Sequence, residues 1–150
     1  HNISLPPENF TGDWITDFFL NRLDPAADSY FEGIADLQVS AHLLIRRQGE
    51  LIQFVSFNDR AWHAGQSHYQ GRDNCNDFSI GIELEGSDNQ PFEDQQYSAL
   101  MHVCRLLMSH YPHIQNIVGH SDIAPGRKTD PGPFFDWQRL RSSLSADPTV

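Results

Sequence analysis

The longest run of patterned hydrophobic positions lies between residues 94 and 111. Tyr97, Leu100, Met101, Cys104, Leu107, Met108 and Tyr111 recur at steps of three and four, which places them on one face of a helix. Pro112 then ends it. A second stripe, Trp14, Ile15, Phe18, Phe19 and Leu23, predicts a helix with Asp13 as its N-cap. A last helix is predicted over Phe134 to Leu144, with Trp137, Leu140 and Leu144 on one side. Elsewhere the pattern is that of strands. Val39 to Ile45 (VSAHLLI) and Leu51 to Val55 (LIQFV) flank the turn Arg46 to Glu50 (RRQGE) and predict an antiparallel hairpin. Phe78 to Leu84 (FSIGIEL) is almost continuously apolar, as expected of a strand covered on both faces. Ile114 to Val118 fits a short strand, and His1 to Leu5 (HNISL) fits the end of one that Pro6 and Pro7 stop. Because the chain opens on His1 rather than Met, the start of that first strand is expected to be absent from it. This order of elements predicts an α/β fold with a central mixed sheet flanked by helices, in a single domain over residues 1–150.

Composition narrows the function classes. Hydrophobic residues make up 39% of the chain, with Phe occurring 10 times, so one packed core is available. No apolar run is long enough to span a bilayer. The formal net charge of −10 argues against non-specific nucleic-acid binding, which rests on Lys and Arg meeting phosphates. It suits a small soluble substrate better than an anionic surface. Two cysteines occur, Cys75 and Cys104; their spacing demands no disulfide, and Cys104 occupies an apolar helical position that fits a buried free thiol.

Candidate chemistry concentrates in residues 119–133 (GHSDIAPGRKTDPGP). His120 follows a predicted strand, and Lys128 and Asp130 lie on a Pro/Gly-stiffened loop able to return to it. Imidazole nitrogen and carboxylate oxygen are good zinc donors. His1, at a strand end, is the candidate third ligand; two His and one carboxylate leave a position open, as in catalytic zinc sites. Glu83 stands in IGIELEG (80–86), where alternation puts Glu83 and Glu85 on one strand face. A buried carboxylate is costly without a purpose, and burial raises its pKa toward the range of a general base. Lys128 supplies a cation that suits an oxyanion.

The segments HNISLPP (1–7), SAHLLIRRQGELIQFV (40–55), RAWHAG (60–65), YQGRDNCNDFSIGIELEG (69–86) and GHSDIAPGRKTDPGPFFDW (119–137) follow one another in an order covering nearly the whole chain. In them the chain resembles the zinc amidases of the N-acetylmuramoyl-L-alanine amidase type 2 family, which includes a phage lysozyme and the peptidoglycan recognition proteins. The resemblance implies His1, His120 and Asp130 as ligands of one zinc ion, Glu83 as the carboxylate activating water, and Lys128 as the oxyanion stabiliser. It implies a 1,6-anhydro-muramyl peptide as substrate, cut at the lactyl–L-alanine amide during wall recycling, and a cytoplasmic location, although periplasmic members share these motifs. A monomer is expected. Asn2, Trp62 and His63 are candidates for lining the substrate groove, and Arg72 and Arg127 for pairing with peptide carboxylates.

Other readings stand beside these. Eight histidines occur. His68, His102, His110 and His113 read as surface residues and His42 as a satisfied core histidine. His63 is open between a structural role, a substrate contact and an alternative metal donor. A peptidoglycan-binding module without catalysis is the alternative function, distinguished by loss of a ligand, which this chain does not show. A Cys–His hydrolase built on Cys75 in NCND (74–77) lacks a His-Asn arrangement pointing to it.

Overall fold

The computed structural model describes residues 1–146. A four-stranded sheet runs in the order β1 (Asn2–Ile3), β6 (Ile82–Glu85), β2 (Leu43–Ile45) and β3 (Leu51–Gln53). β6 pairs in parallel with both β1 and β2, while β2 and β3 form the antiparallel hairpin. The sheet is therefore mixed, as its sequence pattern predicts. β4 (His68–Tyr69) and β5 (Arg72–Asp73) make a separate two-stranded ribbon.

Alternation along β2 divides the core. Leu44 joins Phe18, Phe19 and Phe31 in a cluster under α1 (Trp14–Phe19), whereas Ile45 and Leu84 pack with Leu100, Cys104, Phe135 and Leu140 under α2 (Asp94–His110) and α4 (Trp137–Ser145). Helices thus cover both faces, and β6 is buried from Glu83 to Glu85. Leu44 is in register with Glu83, so Glu83 belongs to the α1 side of the sheet.

One buried amide locks α2 onto the strand ends. Gln96 is fully buried; its Nε2 donates to the carbonyls of Ile45 at 3.2 Å and Glu85 at 2.9 Å, and its Oε1 accepts from the Glu93 amide at 3.0 Å. The helix start and the ends of two parallel strands are fixed by one side chain.

Several sequence expectations are corrected. Residues 114–118 form no strand: Ile117 does pack against the α2–α4 core, but the segment has no ladder partner, and apolarity alone cannot supply one. The strands are shorter than their apolar runs, because Val39–His42 and Phe78–Gly81 lie outside the ladders, with a 3-10 turn at Cys75–Asp77 leading into the latter. Asp13 precedes α1 without a side-chain capping bond. The loop expected after His120 opens with a single helical turn, α3 (His120–Ile123).

Replacing Gln96 with Leu keeps the volume but strands buried carbonyls. Each orphaned group costs about 1–3 kcal/mol, so denaturant unfolding should show a loss of at least that size; an unchanged midpoint would show that these bonds do not clamp α2.

Candidate metal centre

Parallel pairing delivers His1 to the end of β6. Its backbone nitrogen donates to the Ile82 carbonyl at 3.1 Å and its carbonyl accepts from the Leu84 amide at 2.9 Å, so His1 straddles Glu83. The imidazole Nδ1 then lies 3.9 Å from Glu83 Oε1.

The other two candidates come from the 119–133 segment. Gly119 allows the fold-back: a side chain there would stand 2.8 Å from the Pro131 ring and 3.2 Å from Trp137. The Gly119 amide donates to Asp122 at 2.7 Å, starting α3, and the Ser121 amide donates to the Asp130 carbonyl at 3.0 Å, closing the loop. His1 Nδ1, His120 Nδ1 and an Asp130 oxygen thereby converge. The two nitrogens are 3.0 Å apart, and Asp130 Oδ2 is 3.0 Å from His1 Nδ1 and 3.3 Å from His120 Nδ1.

Protons on these groups can be assigned from their partners. His120 Nε2 faces the Ala64 carbonyl at 2.9 Å, which can only accept, so Nε2 carries the hydrogen. In the neutral ring Nδ1 is then a bare lone pair. Asp130 is also acceptor-only. A single hydrogen on His1 Nδ1 would have to serve both, and no other donor among the described residues reaches this point. The cluster is short of positive charge. Burial pushes the His1 pKa down, yet the charge of Glu83 and the bond and charge of Asp130 outweigh that and hold it above its usual value. Burial likewise pushes Asp130 up, but the neighbouring imidazoles, His1 first, hold it well below the carboxylate range. Two imidazoles and an ionised carboxylate, converging and under-protonated, fit a divalent cation, and the donor set is one that zinc takes.

Glu83 is 8% exposed, and its Oε2 is the one buried side-chain polar atom among the described residues with no hydrogen-bond partner. Burial raises its pKa from 4.5 to about 7. Lys128 is exposed, makes no salt bridge among the described residues, and its charge is felt at both His1 and Glu83.

The remaining candidates separate. Arg72 is exposed, lies over the Phe78 ring at 3.9 Å and lines a cavity of 940 Å³ that also takes in His1, His63 and His120. Trp62 is 54% exposed with Arg60 stacked 4.0 Å from its ring centre, and does not line that cavity. Arg127 is committed elsewhere, donating to the carbonyls of Ala64 at 2.6 Å and Gln66 at 2.7 Å. Asn2 also has its amide occupied, by Asp88 at 2.7 Å and the Pro131 carbonyl at 3.2 Å. His42 is a satisfied core residue, between the Asp59 carbonyl and the Gly81 amide. His68, His102, His110 and His113 are exposed, with His68 paired to Asp73. Both cysteines are free and buried; burial pushes the Cys104 thiol up to about 11.

Sequence reasoning missed Asp88, which accepts from Asn2 and Thr129 and so ties β1 to the loop bearing Lys128 and Asp130. It also missed Asn76, whose Oδ1 accepts from the amides of His63 and Ala64. Neither has a spacing signal, since both act through distant backbone.

The family described as N-acetylmuramoyl-L-alanine amidase matches residues 12–133. The chain is 58% identical over 150 residues, 99% of its length, to the 1,6-anhydro-N-acetylmuramyl-L-alanine amidase AmpD of Escherichia coli, of which it covers 82%. A crystal structure of a selenomethionine AmpD derivative superposes with a TM-score of 0.94 at 59% identity, covering 96% of this chain and 81% of that one. The amidase AmiD from E. coli, solved in complex with the substrate anhydro-N-acetylmuramic acid-L-Ala-D-gamma-Glu-L-Lys, gives a TM-score of 0.67 at 40% identity over 77% of this chain and 52% of that one.

Carboxyl-carbon NMR of the metal-free protein should find Glu83 protonated below and ionised above a midpoint near pH 7. A midpoint near 4.5, the ordinary value, would mean that Glu83 is solvated and not poised as a base.

Proposed function

The chain belongs to the N-acetylmuramoyl-L-alanine amidase family, and on that premise we propose that it works with one zinc ion held by His1, His120 and Asp130. It hydrolyses the amide bond between the lactyl group of 1,6-anhydro-N-acetylmuramic acid and L-alanine, the reaction for which its 58%-identical relative is named, and so serves peptidoglycan recycling. The observation that carries the metal assignment is the convergence of three donor atoms, one of them 3.9 Å from Oε1 of the buried Glu83 carboxylate.

Held by His1, His120 and Asp130, zinc would supply Lewis acidity that makes a nearby water easier to deprotonate at neutral pH. Glu83 takes that proton. Buried and with Oε2 free of any hydrogen-bond partner among the described residues, its carboxylate is available to accept the proton and pass it on. Water oxygen bonds to the lactyl carbonyl carbon, and the carbonyl oxygen gains negative charge, which the Lys128 ammonium offsets. Glu83 then protonates the alanine nitrogen as the C–N bond breaks. The products are a lactyl carboxylate and a peptide with a free L-alanine amine.

Arg72, exposed on the cavity wall, is the remaining candidate for a peptide carboxylate, and Trp62, exposed and stacked on the cavity-lining Arg60, for an apolar contact with substrate. The commitments of Arg127 and Asn2 give them holding roles around the cluster instead. A non-catalytic binding module leaves the buried, unpaired Glu83 without a purpose. A Cys75 nucleophile is disfavoured because no imidazole among the described residues hydrogen-bonds to its buried thiol. No helix among the described residues is long and apolar enough to cross a membrane. The cytoplasm is proposed as its compartment from its likeness to the recycling amidase AmpD, and the net charge of −10 agrees with that.

Chelation should abolish release of the L-alanyl peptide from anhydro-muramyl tripeptide, and zinc should restore it. Glu83→Gln should lower kcat by about 10²–10⁴-fold while zinc stays bound. Chelator-resistant turnover would remove the metal from the mechanism, and near-normal kcat in the variant would remove Glu83.

A further inference from the structure

His63 lies against the proposed ligand set without belonging to it. Its Nδ1 is 3.1 Å from His1 Nε2, the nitrogen of His1 turned away from His120 and Asp130, and the two rings meet edge-on at 78°. The far side of His63 is held as well. Ser79 Oγ donates to the Cys75 carbonyl at 2.6 Å, so its hydrogen is spent there, and it faces His63 Nε2 at 3.4 Å as an acceptor. The ring also lies on Gly81, where any side chain would run into it. The backbone is fixed by Asn76, which takes the amides of both His63 and Ala64.

Hydrogen-bond direction can be followed along this chain. The Cys75 carbonyl can only accept, so Ser79 donates to it. Ser79 is then the acceptor for His63 Nε2–H, which leaves His63 Nδ1 as a lone pair. A lone pair facing His1 Nε2 requires the hydrogen to be on that nitrogen of His1. Nδ1 of His1 is thereby freed toward His120 and Asp130. We propose that His63 is a positioning residue that fixes the tautomer and ring orientation of His1, so that Nδ1 is the nitrogen offered to the metal. It does for His1 what the Ala64 carbonyl does for His120. One dipeptide, held by Asn76, thus sets both imidazoles.

The inference rests on the zinc reading above, and two variants with two readouts separate them. His63→Leu removes the acceptor; His63→Asn restores one near the position of Nδ1. Zinc affinity is measured for all three proteins by chelator competition, and the His1 tautomer by nitrogen-15 NMR of metal-free wild type above the ionisation range of its imidazole. His63→Leu should weaken zinc binding by about 10–100-fold, as loss of such partners does. His63→Asn should recover most of that loss, and metal-free His1 should carry its hydrogen on Nε2. Wild-type zinc affinity in His63→Leu, or a hydrogen on Nδ1 of His1, would overturn the proposal. If wild type takes up no zinc, the metal reading fails, and the tautomer of His1 alone then decides the role of His63.

Discussion

Three acceptor atoms are pressed together in a pocket that offers them too few hydrogens. His120 Nδ1 has lost its proton to the other side of its ring, because Nε2 must serve the Ala64 carbonyl, and Asp130 never has one to give. His1 completes the triangle at 3.0 Å from each. Left alone, such a group is repulsive and costly to desolvate. A cation at its centre turns the cost into binding energy, and the proton that His1 tends to retain answers the same demand in its absence.

The fold is arranged around this convergence. β6 is the pivot: pairing with β1 on one edge fixes His1, pairing with β2 on the other buries Glu83, and the helices on both faces exclude water from it. The loop that carries Asp130 and Lys128 is folded back by close packing at Gly119 and pinned to β1 through Asp88 and Asn2. Burial pushes both carboxylates up, but their partners separate them. Asp130, with two imidazole partners, stays ionised, while Glu83, with an unpartnered oxygen, is lifted to about 7. On the proposed mechanism the first would hold positive charge and the second carry a proton, and the difference lies in their partners.

Much of this was legible in the sequence because it is written in types and short spacings. His120, Lys128 and Asp130 share one stiffened loop, and Glu83 interrupts an apolar strand. The helical stripes of α1 and α2 give the two covering layers. What was not legible depends on partners far along the chain. The apolar run at 114–118 found no strand to pair with. Arg127 and Asn2 look available in sequence, but each is engaged by backbone carbonyls that only the fold brings near. His63 could not be assigned from RAWHAG, since its role depends on His1, Ser79 and Gly81, which lie 62, 16 and 18 positions away. Long-range hydrogen bonding leaves no periodicity to read.

The central claim is that His1, His120 and Asp130 form one zinc site, and anomalous diffraction at the zinc edge from crystals of the zinc-loaded protein tests it directly. The account predicts one strong peak per chain, bonded to Nδ1 of both histidines and to Asp130 at about 2.0–2.2 Å. A peak bonded to His63, or none in this cluster, would contradict it.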